Sequence, residues 1–167
     1  TAEMAPFSVS PKAWGNFLTT IFDEWVRHDV GEFFVQIFDS TLAGWMGVPG
    51  SLCTMAETCG HATAMEHNGD VYACDHYVFP EFKLGNIMQQ TLESMVFSSE
   101  QKEFGENKRR LLTQQCKTCE WRFACNGDCP RTRFTQSQEG EWGHPYLCAG
   151  WQHYFHHVAP YMDFMKR

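Results

Sequence analysis

The sequence predicts an α+β fold, and three observations predict it. Apolar residues recur at helical spacing near both ends of the chain, an Asn-Gly turn signal sits near its middle, and eight cysteines fall in two groups between Cys53 and Cys148. Residues 10–28 read as an amphipathic helix. Ser10 is suited to cap it, and Pro11 suits the first helical position, where a missing N–H costs nothing. Trp14, Phe17, Leu18, Ile21, Phe22, Trp25 and Val26 follow at spacings of three and four. Residues 32–38 (EFFVQIF) are an apolar run that reads as a strand buried on both faces, as in a parallel sheet. Together they look like the edge of an α/β unit.

Four breakers, Gly44, Gly47, Pro49 and Gly50, mark residues 39–60 as linker. Residues 62–67 and 70–77 then flank Asn68-Gly69, a hairpin signal, and place Cys74 and Asp75 on the second strand with side chains on opposite faces. Residues 91–113 read as helix interrupted near Ser98-Ser99, residues 114–148 as cysteine-rich loops, and residues 149–165 as a helix. The last carries Trp151, Tyr154, Phe155, Val158 and Met162 on one side and Pro160 as a kink or break.

With 167 residues, 43% hydrophobic and 15% aromatic, the chain can build a real core. A net charge of −7 argues against nucleic acid and against an anionic membrane surface as partners. No apolar run reaches the roughly 20 residues needed to span a bilayer, and no signal peptide is visible. The opening Thr1, in place of Met, points to a piece of a longer protein or to a processed chain.

The strongest chemical signal is C-x2-C-x5-C-x3-C at Cys116, Cys119, Cys125 and Cys129, followed by Cys148; Cys53, Cys59 and Cys74 form the upstream group. Nothing signals the oxidising compartment that disulfides need. Short spacings of soft thiolates select zinc or iron–sulfur centres, and eight thiolates divide into two four-cysteine sites. Thiolates alone leave zinc and iron–sulfur both open.

The order C-x5-C-x14-C, then C-x2-C-x5-C-x3-C, then C resembles the SPASM region of radical S-adenosylmethionine enzymes. Leu52-Cys53, Glu57-Thr58-Cys59-Gly60, Asn68-Gly69-Asp70-Val71-Tyr72, Cys74-Asp75, Leu84-Gly85-Asn86-Ile87, Phe104-Gly105 and Cys125-Asn126-Gly127-Asp128-Cys129-Pro130 narrow the resemblance to anaerobic sulfatase-maturating enzymes, across about residues 8–160. The resemblance implies two auxiliary [4Fe–4S] clusters. Cys53, Cys59, Cys74 and Cys129 would hold the first and Cys116, Cys119, Cys125 and Cys148 the second. It implies a remnant of the radical barrel at 1–40, a linker at 41–52 and the SPASM domain at 53–167. The helix at 10–28 and the strand at 32–38 would then be the barrel's last helix and strand.

The barrel's own C-x3-C-x2-C motif is absent. Cys125 and Cys129 have its first spacing, but Thr132 stands where the third cysteine is required. S-adenosylmethionine and a third [4Fe–4S] cluster would therefore belong to a barrel outside these residues, and this piece alone would be inactive. The resemblance further implies a sulfatase polypeptide as substrate, with its Cys or Ser oxidised to Cα-formylglycine, the chain's own N-terminal barrel and an electron donor such as flavodoxin or ferredoxin as partners, and an anaerobic bacterial cytoplasm as setting. Another SPASM peptide maturase and a non-enzymatic zinc module are the alternatives.

By the same resemblance Asp75 is the general base that takes the substrate's hydroxyl or thiol proton. Burial raising its pKa toward neutrality would suit it to that work. His153, His156 and His157 have a metal-capable spacing but no completing ligand, and read as a polar helix face. Eight of the 13 Lys and Arg lie between Lys102 and Arg133, of which Arg122, Arg131 and Arg133 could balance an anionic cluster. Part of the aromatic excess is expected to face the barrel.

Overall fold

Ser10 starts α1 (Pro11–His28) as expected: its side chain accepts from the Ala13 amide, and Pro11 occupies the first turn. The computed structural model describes residues 4–167. The chain divides into two compact units. The first runs up to Ala56 and resumes at Leu112; the second is Glu57–Leu111.

The first unit is built on α1 and α7 (Cys148–Met165). The stripe expected on α1 is wider than the face it buries: Leu18, Phe22 and Trp25 are in the core, while Phe17 and Ile21 remain exposed. Trp151, Tyr154, Phe155, Val158 and Met162 of α7 are all buried, as their spacing predicts. Phe22 meets Tyr154 and Tyr161 edge-on, and Trp14 meets Trp151 likewise. The two backbones touch at a pair of glycines. A Cβ on Gly15 would stand 2.9 Å from the Gly150 carbonyl oxygen, and one on Gly150 would stand 2.3 Å from that of Pro11. His157 adds a 2.7 Å hydrogen bond to Asp23. Pro160 does not break α7, which continues to Met165; it lies on the exposed side, where water can satisfy the carbonyl that loses its amide partner.

The strand expected at 32–38 does not form. Val35 precedes α2 (Gln36–Trp45), so residues 41–45, expected in the linker, are helical. An apolar run this short fits either period, and the helical one wins because it turns Phe38 and Thr41 into the core together. There the Thr41 hydroxyl donates to the Ile37 carbonyl at 2.7 Å and lies 3.1 Å from the Tyr154 hydroxyl, and Phe22 abuts Phe38 edge-on at 5.2 Å. Phe33 and Phe34 stay exposed, and the Phe33 carbonyl accepts from the Trp25 indole at 2.7 Å.

Residues 114–148 are more ordered than expected of loops. They contain α5 (Gln114–Lys117), α6 (Arg122–Cys125), a 3₁₀ turn at Pro130–Thr132 and an antiparallel pair.

The second unit carries a three-stranded antiparallel sheet, β1 (Ala64–Met65), β2 (Asp70–Tyr72) and β3 (Lys83–Asn86), in that order. The Asn68-Gly69 turn forms, with Gly69 at φ +85. Asp70 fastens it, accepting from Lys83 Nζ at 2.6 Å, Asn86 Nδ2 at 2.8 Å and Asn68 Nδ2 at 3.0 Å. β3 was not expected from the sequence. The helical stretch divides into α3 (Leu92–Val96) and α4 (Ser99–Arg110), and Ser98 caps the second by accepting from Gln101. Gln101 is buried, and its amide donates to the carbonyls of Gly60 and Ala73. Tyr77, Phe82 and Phe104 form a second aromatic cluster. Among the described residues no helix is long and apolar enough to cross a membrane.

Candidate metal centre

In the first unit β4 (Thr135–Gln136) and β5 (Trp142–His144) form the antiparallel pair that supports the cysteine-rich stretch. Glu141, in the turn between them, accepts from the Gln114 amide at 2.6 Å, and Gln115 accepts from the Gln138 amide at 2.9 Å. The pair is thus tied to α5, which carries Cys116. Thr113 caps α5 by accepting from the Cys116 amide. Cys125 ends α6, and Cys148 is the first residue of α7.

These elements bring Cys116, Cys119, Cys125 and Cys148, the set expected at the second cluster, to the lining of one pocket, with Trp121, Arg122, His144 and Trp151 around them. Cys129 is not among the residues lining it. The chain between Cys125 and Cys129 explains how adjacent cysteines separate. Asn126, Gly127 and Asp128 are all left-handed, with φ of 48°, 74° and 56°. Asn and Asp tolerate this region better than other side chains, and Gly adopts it freely. Arg133 gathers the three carbonyl oxygens that result, donating from Nε to Gly127 at 2.7 Å and from Nη2 to Asp128 at 3.0 Å and Asn126 at 3.1 Å. Asp128 turns inward, accepting from the Trp151 indole at 3.0 Å and from the Cys129 amide at 2.6 Å. Asn126 donates to the Met55 carbonyl at 2.7 Å.

The electrostatics of the pocket suit a cationic occupant. Burial, and then the charges of neighbouring thiols and Asp128, push the Cys125 and Cys148 thiols up to about 12. Burial also raises Cys116, against the Thr113 hydrogen bond and the Arg133 charge, which lower it. Thiolates in such a pocket repel one another unless metal neutralises them, and metal binding expels their protons. The donor set therefore fits a thiolate-ligated centre. None of the eight cysteines is in a disulfide.

His144 was not singled out by the sequence. It is buried, its Nδ1 lies 3.6 Å from Cys116 Sγ and 3.1 Å from Thr113 Oγ1, and burial depresses its pKa. No spacing rule links positions 116 and 144, so only the fold could reveal it. The left-handed turn, by contrast, had a visible signal in Asn-Gly-Asp.

Of the other four cysteines, Cys53 and Cys129 lie in the first unit and Cys59 and Cys74 in the second. The Cys59 amide donates to the Gly105 carbonyl at 3.1 Å, and a Cβ on Gly105 would stand 2.5 Å from the Cys59 carbonyl oxygen. That close approach accounts for glycine inside α4. Cys74 and Asp75 are not on a strand: β2 ends at Tyr72, and Cys74 precedes a 3₁₀ turn at Asp75–Tyr77. The turn places the two side chains together instead of on opposite faces, with the Cys74 thiol donating to Asp75 at 3.2 Å. Asp75 is not buried either. Its side chain is 78% exposed, and the Cys74 hydrogen bond, then the His76 charge, hold its carboxyl below the ordinary range.

His153, His156 and His157 do not share a ligand. His156 faces Glu120 at 3.7 Å and His157 bonds Asp23. Among the described residues no three His, Cys, Asp or Glu side chains converge on a single ion, the pocket thiols included; the latter surround a shared space instead.

Residues 53–120 match the SPASM family, described as an iron–sulfur cluster-binding domain. The chain carries a SPASM domain. Similarity extends beyond the domain. The chain is 63% identical over 164 residues to the serine-type anaerobic sulfatase-maturating enzyme of Bacteroides thetaiotaomicron, covering 98% of this chain and 40% of that protein. To the cysteine-type anaerobic sulfatase-maturating enzyme of Clostridium perfringens it is 29% identical, covering 92% and 42%. It superposes on native anSMEcpe with bound AdoMet and Kp18Cys peptide with a TM-score of 0.84 at 27% identity, covering 99% of this chain and 46% of that one. The chain thus spans about two fifths of the length of the curated relatives it matches. The mixed fold around the SPASM domain is that of these enzymes' corresponding region.

Proposed function

We propose that this SPASM domain is the auxiliary-cluster region of a radical S-adenosylmethionine enzyme that oxidises a sulfatase serine to Cα-formylglycine. The observation that carries the reading is 63% identity to a serine-type maturase along nearly the whole chain. Cys116, Cys119, Cys125 and Cys148 hold one [4Fe–4S] cluster, a reading supported by their common pocket. Cys53, Cys59, Cys74 and Cys129 hold the other, on the family resemblance alone. S-adenosylmethionine and the third cluster belong to the enzyme's own barrel, a flavodoxin or ferredoxin supplies electrons, and the setting is an anaerobic bacterial cytoplasm. Residues 1–167 alone, lacking C-x3-C-x2-C, do not carry out the radical step.

Converting the serine CH2–OH to an aldehyde removes two electrons and two protons. One hydrogen atom leaves the β-carbon to a 5′-deoxyadenosyl radical. Asp75 takes the hydroxyl proton, and one electron departs as the carbon–oxygen double bond forms. An iron–sulfur centre, when bound, supplies a one-electron sink, with a potential set by its thiolates, hydrogen bonds and solvent exposure. Cys74, once a metal ligand, has no thiol proton left to donate, which removes the main influence holding Asp75 low.

Anaerobic purification followed by metal and sulfide analysis tests the first half, with about eight iron and eight sulfide per chain expected for two four-iron clusters. Two zincs and no sulfide would overturn it. For the second half, the enzyme carrying this region is offered Ser-x-Pro-x-Arg and Cys-x-Pro-x-Arg peptides. Formylglycine from the serine peptide is the expected product; formylglycine from neither points to another peptide maturase.

A further inference from the structure

Two neutral N–H groups at the four-thiol pocket have bonding that the protein itself leaves incomplete or undecided. Trp121 lines the pocket, and its indole N–H is buried without a hydrogen-bond partner. Its ring is fixed, stacked on Trp45 at 5.7 Å and on Phe155 at 6.1 Å. Burying an unmade donor is costly, and buried donors find partners as a rule. The second group is His144, whose Nδ1 lies between Cys116 Sγ and Thr113 Oγ1. The Thr113 hydroxyl can give or accept. A Cys116 thiolate can only accept. With Cys116 ionised, the favourable arrangement puts the hydrogen on Nδ1 and leaves Nε2 bare.

We propose that His144 and Trp121 are positioning residues for the iron–sulfur centre of this pocket, His144 donating to the Cys116 sulfur and Trp121 to a sulfur of the occupant. The inference rests on the reading that the pocket holds such a centre. Its consequence is electronic. An N–H aimed at sulfur stabilises the reduced, more negative state more than the oxidised one, so the two donors raise this centre's reduction potential. The two donors thereby make this centre easier to reduce than the same thiolates would without them.

The test is a redox titration of the anaerobically iron-loaded protein, followed by electron paramagnetic resonance, with iron and sulfide measured on each sample. Trp121→Phe keeps the ring and removes the donor. It is expected to keep the metal and to move one of two midpoints to lower potential, cutting the reduced-to-oxidised ratio at a fixed potential about tenfold, or about 59 mV for one electron. His144→Leu is expected to move the same midpoint, and His144→Gln, which retains an N–H, to restore part of the shift. Unmoved midpoints in a fully loaded Trp121→Phe protein would overturn the inference while leaving the cluster assignment standing. A wild-type protein without iron and sulfide would overturn the assignment itself, and the inference with it. Should His144→Leu fail to load, Trp121→Phe decides.

Discussion

Gly127 occupies a place no other residue fits. Its φ is +74, and a Cβ there would fall 2.3 Å from Leu112 Cδ2 and 3.0 Å from Arg133 Nη2. Gly127→Ala is expected to lower stability by about 2 kcal/mol, from left-handed strain and overpacking together, seen as a lower urea midpoint. Asp75 makes a different prediction, because it is exposed and its removal costs the fold little. Asp75→Asn is expected to abolish formylglycine formation with iron and sulfide content unchanged; loss of both together would make it a structural residue. At this scale the sequence was legible where chemistry is local. Asn126-Gly127-Asp128 carries the residue types that a left-handed turn favours, and Cys116, Cys119, Cys125 and Cys148, grouped by the resemblance, do line one pocket. The sequence was silent on His144, brought to Cys116 by a hairpin, and it placed Cys74 and Asp75 on a strand that in fact stops at Tyr72.

The meeting of α1 and α7 shows what an element-level pattern can and cannot say. Both helices were readable from their periodicity, and Ser10 marked the start of the first. Their separation was not readable, because it depends on Gly15 facing Gly150 across the interface. Gly150→Ala gains helix propensity but drives a methyl against the Pro11 carbonyl, so it is expected to cost about 1–3 kcal/mol, measured by the thermal or urea midpoint. The apolar run at 32–38 misled for a physical reason. Adjacent apolar residues carry no period, so Phe33 and Phe34 argued for a buried strand while sitting exposed, and Ile37-Phe38 began a helix. β3 was missed because Lys83-Leu84-Gly85-Asn86 has neither alternation nor β-branched residues; it pairs because β2 and the Asp70 network recruit it.

Across the whole molecule, the first unit holds the large buried cluster, the second buries Val71, Ala73 and Met95, and the stretch 112–148 is pinned by side-chain bonds to carbonyls. Metal–thiolate bonds contribute folding free energy in such regions. Removing the metal is expected to speed amide exchange across residues 114–148 while leaving the cores of α1 and α7 protected; equal protection with and without metal would contradict this. A pH series gives an independent check. In the fold burial pushes the Cys125 and Cys148 thiols up to about 12 from an ordinary 9.0. The raised values favour the metal-free fold below pH 9, and that contribution is lost as pH climbs through 9 toward 12, where the unfolded chain sheds protons that the fold retains. Urea midpoints of metal-free protein should therefore fall above pH 9, whereas metal-bound thiolates have no such protons and should show no matching fall.

One feature of the first unit bears on how the protein is made. Its chain leaves at Ala56 and returns only at Leu112, and the apolar stripe of α1 closes against α7. A nascent chain leaving the ribosome therefore has only α2 to cover the stripe of α1 until Cys148–Met165 has emerged. That same late segment delivers the fourth thiol of the pocket. If the pocket takes the cluster proposed for it, iron delivered during translation would meet three of its sulfurs without the last, and insertion would follow synthesis of this region.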